Sequence, residues 1–142
     1  MIVNPALPNE SHTMIILHRS IVSVVAILFV GLGIWLMLMP RAVEDLYPMT
    51  LDGPMGVSEI RAVFGGLMLG VGGAVLWLVW RVRRAMDGGA VMLFVFGALL
   101  LARIVGLASE GIPYGPVLNE TIFETAVFVI VLITTLVVRN RE

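Results

Sequence analysis

The sequence predicts an all-α integral membrane protein whose four helices cross the bilayer as an up-down-up-down bundle. Of its 142 residues 59% are hydrophobic and 13% are charged, about half the ~25% charged share of an average soluble domain. Four apolar stretches are each long enough to cross the ~30 Å hydrocarbon layer as a helix. These stretches are continuously apolar and do not alternate with polar residues, which disfavours a membrane β-barrel.

The first half of the chain contains two of these stretches. A polar, proline-containing arm over residues 1–19 precedes the first predicted span, 20–39, which ends where Pro40 cannot continue a helix. A loop over residues 40–58 is rich in proline and glycine and includes one predicted short helix from Ala42 to Tyr47. The second predicted span follows at 60–80.

The second half of the chain contains the other two stretches, with shorter connections. A basic turn, 81–87, leads to the third predicted span at 89–108. A Gly/Pro turn over 111–119 leads to the fourth span at 120–138, and residues 139–142 form a short tail. Short connections between consecutive helices favour antiparallel neighbours. The four spans are therefore expected to form one bundle over residues 20–138.

The arginines are distributed unequally between the two sides of the predicted bundle. All nine basic residues are Arg. Three lie on the side of the 40–58 loop, namely Arg41, Arg61 and Arg103, and six lie on the opposite side: Arg19, Arg81, Arg83, Arg84, Arg139 and Arg141. Because cytoplasmic segments carry the excess of basic residues, both termini are predicted to be cytoplasmic.

Two charges interrupt the third and fourth spans at the same predicted depth. Arg103 lies fifteen residues after Gly88, and Glu124 lies fourteen residues before Val138, so both are roughly 21–22 Å from the cytoplasmic boundary. Charges at such depth normally face the bundle and pair. We therefore expect an intramembrane polar cluster at the outer end, built from Glu59, Arg61, Arg103 and Glu124. It could fix helix register, form a ligand or proton site, or consist of charges that extend separately to the interface.

Small residues form ladders on two of the predicted spans. Side chains that recur every four residues allow a second helix to approach closely. The alternative is that glycines leave room for a flat ligand or a lipid chain. The residues predicted to pack helices are Ala62, Gly65, Gly66, Gly70 and Ala74 on the second span, and Ala98, Ala102 and Gly106 on the third.

Catalytic and metal-binding patterns are missing from the sequence. There is no Cys, and both histidines, His12 and His18, precede the first predicted span, where they are expected to be exposed. We find no set of residues with metal-ligand spacing and no nucleophile with a base in reach. With a net charge of −1, the chain has no basic footprint for nucleic acid. The expectation is a non-enzymatic protein without a metal or cofactor, although a bound lipid or quinone remains compatible.

Three motifs together resemble a known family. They are E-I-R-A-V-F-G-G at residues 59–66, A-R-I-V-G at 102–106 followed by G-I-P at 111–113, and an acidic residue early in the last span. This combination resembles a family of small four-helix bacterial membrane proteins known only as a domain of unknown function, over residues 14–139. The resemblance implies the four-helix fold and a bacterial inner membrane. It implies no activity.

These patterns leave three functional hypotheses. The favoured one is an accessory or structural subunit that packs against other subunits of a larger membrane complex. The second is a binder of lipid, quinone or another hydrophobic molecule at the outer end of the bundle, using Arg103. A small transporter is disfavoured, because the inner two-thirds of the spans offers no polar path beyond Thr134 and Thr135.

The predicted topology can be tested by single-cysteine labelling, which is clean because the chain lacks Cys. We expect Thr50→Cys and Gly115→Cys to react in intact cells with a membrane-impermeant maleimide. Met86→Cys should react only after the cells are permeabilised, because the arginine distribution places the 81–87 turn in the cytoplasm. The reverse labelling pattern would show that the bundle has the opposite orientation in the membrane.

Overall fold

The computed structural model describes residues 8–47, 49–81, 84–110 and 116–139, and within these ranges it is a helical protein without strands. Four helices are long and apolar enough to cross a membrane, which confirms the predicted fold class. The five helices, in chain order, are α1 (Pro8–Leu38), α2 (Ala42–Leu46), α3 (Gly53–Arg81), α4 (Ala85–Glu110) and α5 (Pro116–Arg139).

The helices begin earlier than the hydrophobic stretches do. α1 begins at Pro8 and not at Ser20, so most of the predicted arm is helical; residues 1–7 lie outside the described part of the chain. Pro54 near the start of α3 is favourable there, because its missing N–H has no intrahelical partner in the first turn. Hydropathy detects only the lipid-crossing part of such helices.

α3 is continuous but not uniformly α-helical. Its stretches Ile60–Gly66 and Trp77–Arg81 are π-helical, which means that backbone hydrogen bonds there reach one residue further along the chain. The first of these stretches coincides with most of the E-I-R-A-V-F-G-G motif. The extra residue per turn rotates the side chains that follow relative to a regular helix.

α1 is the central helix of the bundle and packs against α3, α4 and α5, while α4 also packs against α5. Phe29 of α1 meets Phe96 of α4 edge to face, with ring centroids 5.6 Å apart. The buried apolar side chains come from all four long helices: Val22, Val25, Ala26, Val75, Val79, Met92, Phe96, Val127 and Val131. We call the end of the bundle with the 39–52 loop the loop end. The opposite end, where α1 begins and α5 finishes, is the terminal end.

The closest helix packing joins α1 to α3 through glycines. A Cβ atom added at Gly33 would lie 2.6 Å from the Leu69 backbone nitrogen. A Cβ at Gly72 would lie 2.7 Å from the Ala26 carbonyl oxygen, and one at Gly65 would lie 2.7 Å from a side-chain carbon of Met37. These distances leave no room for a methyl group. The two backbones are therefore in direct contact.

The predicted ladder faces away from this contact. Ala62, Gly70 and Ala74 are exposed, and a Cβ at Gly70 would meet nothing within 4 Å. Of the residues predicted to pack, Gly65 lies in the α1 contact and Gly66 is half-buried. The sequence predicts that this ladder is buried against another helix, either of this chain or of a partner. No helix of the described residues covers Ala62, Gly70 and Ala74, so burial against a partner stays a prediction. Because α3 carries small residues on two sides, spacing alone could not show which side meets α1.

The ladder predicted on the third span also lacks a partner in the chain. Ala98 and Ala102 of α4 are exposed, and Gly106 is half-buried. Mutual packing of the two ladders was expected and does not occur. α4 instead meets the bundle through larger residues, including Met92 and Phe96, which are buried.

The loop between α1 and α3 is folded onto the loop end. α2 matches the predicted short helix, and a small core forms from Leu36, Val43, Leu51 and Ile60. The Glu44 carboxylate accepts the Leu51 backbone N–H at 2.6 Å and is 3.2 Å from the Arg41 guanidinium. The Leu51 hydrogen bond, helped by Arg41, holds the pKa of this solvent-exposed carboxyl below its ordinary value.

Adjacent glycines of α3 provide a test of the backbone contact. We expect Gly72→Ala to lower the stability of the bundle by about 1–3 kcal/mol, because the new methyl group overpacks the contact with Ala26. Gly73→Ala is the matched control, since a Cβ there meets nothing within 4 Å and alanine favours a helix over glycine by about 0.5–1 kcal/mol. Thermal unfolding in one detergent, followed by circular dichroism, measures both. Equal melting temperatures for the two variants would contradict the contact.

Candidate functional site

The loop end contains a compact group of charged side chains from α4 and α5. Arg103 of α4 donates from Nε to Glu124 Oε2 at 3.1 Å and from Nη2 to Glu124 Oε1 at 3.0 Å. The same Nη2 donates to Glu120 Oε2 at 3.2 Å. Two parallel N–H···O bonds from one guanidinium to one carboxylate form the strong, directional geometry of arginine–carboxylate pairs. Glu120 and Glu124 reach one arginine because residues four apart lie on the same side of a helix.

Tyr47 extends this group to the loop. Its hydroxyl, one residue after α2, donates to Glu120 Oε1. We call Tyr47, Arg103, Glu120 and Glu124 the loop-end cluster. The side chain of Glu124 is 13% exposed and that of Arg103 is 29% exposed, so the bidentate pair is the most enclosed part. The cluster contains two carboxylates and one guanidinium, and its formal charge is negative when both carboxyls are ionised.

The structure brings together two of the four residues predicted to form the intramembrane cluster. Arg103 and Glu124 are in contact, whereas Arg61 donates from Nε to the Met37 carbonyl oxygen at 3.2 Å, at the end of α1. Glu59 is exposed and forms no ion pair with any residue that the structure describes. Glu59 and Arg61 therefore do not join the pair, because the side of α3 that carries them faces the α1 end and solvent.

Two members of the loop-end cluster were not predicted. Glu120 was assigned to the first position of the fourth span, but α5 begins at Pro116, so Glu120 lies one turn inside the helix. The four-residue spacing between Glu120 and Glu124 already indicates that both side chains lie on one side of the helix. Tyr47 carried no such signal, since only the fold of the loop brings it to α5.

A second polar group lies at the terminal end and was also missed. His18 was expected to be exposed, but it is 0% exposed. Its Nδ1 lies 3.0 Å from Thr134 Oγ1 of α5, and its Nε2 lies 3.3 Å from the Ala85 carbonyl oxygen of α4. A Cβ at Gly89 would lie 2.8 Å from the imidazole, so this glycine provides the space for the ring. The earlier start of α1 explains the difference, because it makes residue 18 part of the bundle.

The partners of His18 indicate which hydrogen bonds it makes. A carbonyl oxygen only accepts, so Nε2–H donates to Ala85. Nδ1 faces Thr134 Oγ1, whose hydroxyl also donates to the Ile130 and Val131 carbonyl oxygens one turn earlier in α5. A histidine beside a hydroxyl resembles a base and nucleophile pair, but an open groove of about 400 Å³ passes over it without exposing the ring. The pair joins three helices, and His18 is fully buried between them.

Metal ligands do not converge in the described ranges: no group of three His, Cys, Asp or Glu side chains is placed to hold an ion. The described hydroxyls of Ser109 and Thr125 donate to carbonyl oxygens one turn earlier in their own helices. Among the described residues, the polar side chains at the two ends of the bundle form ion pairs and hydrogen bonds.

The loop-end cluster predicts a large asymmetry between single and double variants. We expect Arg103→Leu to lower stability by about 3 kcal/mol, because it leaves two carboxylates close together in a poorly solvated site. Combining it with Glu124→Leu should restore part of the loss, since the charges that remain are then fewer. Thermal unfolding in detergent measures the two variants and the parent.

Arg84→Leu is the control for this experiment. Arg84 pairs with Asp87 at 3.5 Å, but the two side chains are 68% and 54% exposed, so the loss should stay below about 1 kcal/mol. Equal losses for Arg84→Leu and Arg103→Leu, or a double variant no more stable than Arg103→Leu alone, would contradict the pairing at the loop end.

Comparison with known proteins identifies a family without an assigned activity. No curated protein and no solved structure matches the chain. The family described as a domain of unknown function, DUF4345, matches residues 17–135. This match covers all four long helices and both polar groups. The chain therefore belongs to the DUF4345 family of unknown function.

Proposed function

We propose that this membrane protein is a non-catalytic subunit of a larger membrane assembly and that it binds a partner helix through one side of α3. This side, which we call the small-residue face, consists of Ala62, Gly66, Gly70, Gly73 and Ala74. The single observation that carries the proposal is that the bundle leaves this face uncovered while it uses other glycines of the same helix for its own packing.

The geometry of the face suits a helix better than lipid alone. A Cβ at Gly70 or Gly73 would meet nothing within 4 Å, and Ala62 and Ala74 are exposed. Small residues in membrane helices let a neighbouring backbone approach closely, and van der Waals packing then drives association. The contact of Gly72 with α1 shows how close such an approach becomes in this same helix.

The polar groups support a non-catalytic role. The guanidinium of Arg103 is occupied by two carboxylates of its own chain, and His18 is enclosed by α1, α4 and α5. Each group thus has its hydrogen-bonding partners within the bundle. Groups of this kind fix the register and orientation of helices.

The proposed location is a bacterial cytoplasmic membrane, with both termini in the cytoplasm. In the described ranges Arg19, Arg81, Arg84 and Arg139 all belong to the terminal end, whereas Arg41, Arg61 and Arg103 belong to the loop end. By sequence, Arg83 and Arg141 add to the terminal side. An excess of arginine on one side supports a cytoplasmic terminal end.

A lipid or quinone on the same face is the alternative. The open surface around Gly70 and Gly73 has room for an acyl chain or a flat ring. The version of this alternative that used Arg103 is weakened, because that guanidinium already binds Glu120 and Glu124.

Substitution on the small-residue face tests the proposal. We expect the protein, purified from its native membrane in mild detergent, to carry another membrane protein at fixed stoichiometry. Gly70→Leu should reduce the amount of this partner at least tenfold, because the new side chain separates the helices. The yield and melting temperature of the bundle should stay unchanged, since position 70 is open within the chain.

Gly31→Leu is the matched control. Gly31 of α1 is also exposed with nothing within 4 Å, but its neighbours four residues away are Ile27 and Trp35, so it belongs to no small-residue ladder. This variant should retain the partner. If the purified protein carries no other protein and holds a lipid or quinone that Gly70→Leu releases, the alternative replaces the proposal.

A further inference from the structure

At the terminal end, an arginine of α1 lies flat against a tryptophan of α3. The guanidinium carbon of Arg19 is 4.1 Å from the centroid of the Trp80 ring. Trp80 donates from Nε1 to Ser23 Oγ at 2.9 Å, and Ser23 Oγ donates to the Arg19 carbonyl oxygen at 2.7 Å. The indole is thus anchored at its polar edge to α1, and its face holds the guanidinium in one orientation.

Arg19 is half-buried and differs in its hydrogen bonding from the arginines that form ion pairs. Its Nε is buried and has no hydrogen-bond partner, and no carboxylate of the described residues forms an ion pair with it. Arg41, Arg84 and Arg103 each have a carboxylate oxygen within 3.5 Å. A guanidinium that is partly removed from water without an acceptor is unfavourable. Arg19 is half-buried, so an anion that reaches its exposed part would neutralise a charge that no carboxylate of the described residues pairs with.

The position of this pair limits the source of the acceptor. Trp80 is in the last turn of a membrane-crossing helix and is 59% exposed. Arg81, the last residue of α3, is exposed beside it. Tryptophan and arginine at a helix end lie at the depth of lipid headgroups. The surface next to Arg19 and Trp80 is accordingly reached from the membrane, at the level where phosphates are most concentrated.

We propose that Arg19 and Trp80 form a binding site for the phosphodiester of an anionic membrane phospholipid. The terminal nitrogens of Arg19 donate to the phosphate oxygens in the planar fork geometry that guanidinium and phosphate share. Trp80 holds that fork by cation–π contact and packs beside the glycerol backbone and first acyl carbons. Arg81 adds a second positive charge at the same depth. This site is separate from the small-residue face, and it does not depend on a protein partner.

Native mass spectrometry of the full-length protein in mild detergent tests the site. The protein is titrated with phosphatidylglycerol and, in parallel, with phosphatidylcholine of identical acyl chains. We expect tighter binding of phosphatidylglycerol. Arg19→Gln should weaken that binding roughly fivefold or more, as expected for the loss of one basic residue near an anionic headgroup. Binding of phosphatidylcholine should not change.

Matched variants separate a built site from general charge attraction. Arg84→Gln removes the same charge from the same end, but Arg84 is exposed and already paired with Asp87, so it should change affinity less than twofold. Trp77→Leu should also leave binding unchanged, whereas Trp80→Leu should weaken it. The two tryptophans are both 59% exposed, but Trp80 is the one that the Arg19 guanidinium stacks on. Arg19→Lys, which keeps the charge and loses the fork, should fall between wild type and Arg19→Gln.

Three outcomes would overturn the proposal. Equal losses of phosphatidylglycerol affinity for Arg84→Gln and Arg19→Gln would show that net charge alone accounts for the binding. Equal affinity of the wild-type protein for the two lipids would remove the anionic selectivity. Displacement of phosphatidylglycerol by millimolar inorganic phosphate would assign the site to a soluble phosphate. If Arg19→Gln fails to fold, as judged by its melting temperature, Arg19→Lys and Trp80→Leu decide the question. Each should then weaken phosphatidylglycerol binding as stated above, and unchanged binding in both would contradict the site.

Discussion

The backbone contact between α1 and α3 is the constraint on which the rest of the bundle depends. Gly33, Gly65 and Gly72 remove the side chains that would hold the two helices apart. In lipid, apolar side chains gain little by leaving the solvent, so close packing of this kind supplies much of the association between helices. Because α3 lies so close on one side, α1 can contact α4 and α5 on its other sides. That central position also brings His18 of α1 into the bundle.

The two ends of the bundle satisfy their polar groups in different ways. At the loop end, Arg103 binds two carboxylates from α5, and Tyr47 joins one of them, Glu120, to the loop. At the terminal end, His18 binds a hydroxyl and a carbonyl oxygen, so no carboxylate is needed. Both solutions follow from one requirement, that polar groups within a bilayer find partners inside the protein. Arg19 is the member of this set whose acceptor is not among the described residues.

α3 has small residues on two sides, of which one packs against α1 and the other is not covered by the described part of the chain. Gly65 and Gly72 are seven residues apart, which is close to two helical turns, and they face α1. Gly66, Gly70 and Ala74 recur every four residues on the other side, where the chain leaves them uncovered. One helix therefore holds the bundle together and offers an unused surface with the same packing properties. This division is what makes a role in a larger assembly a specific structural proposal.

The sequence by itself determined the class of the fold, the number of long helices and the contact between Arg103 and Glu124. Those features depend on hydropathy, on helix rise and on the cost of an isolated charge in lipid, and each can be evaluated along a single chain. Only the tertiary structure decided which glycines of α3 face α1, that His18 is buried, and that Tyr47 and Glu120 join the loop-end cluster. These depend on the rotation of each helix about its axis and on the path of a loop. The rotation of α3 cannot be read from the sequence, because small residues lie on two of its sides. The burial of His18 cannot be read either, because His18 lies in a polar stretch before the first apolar run.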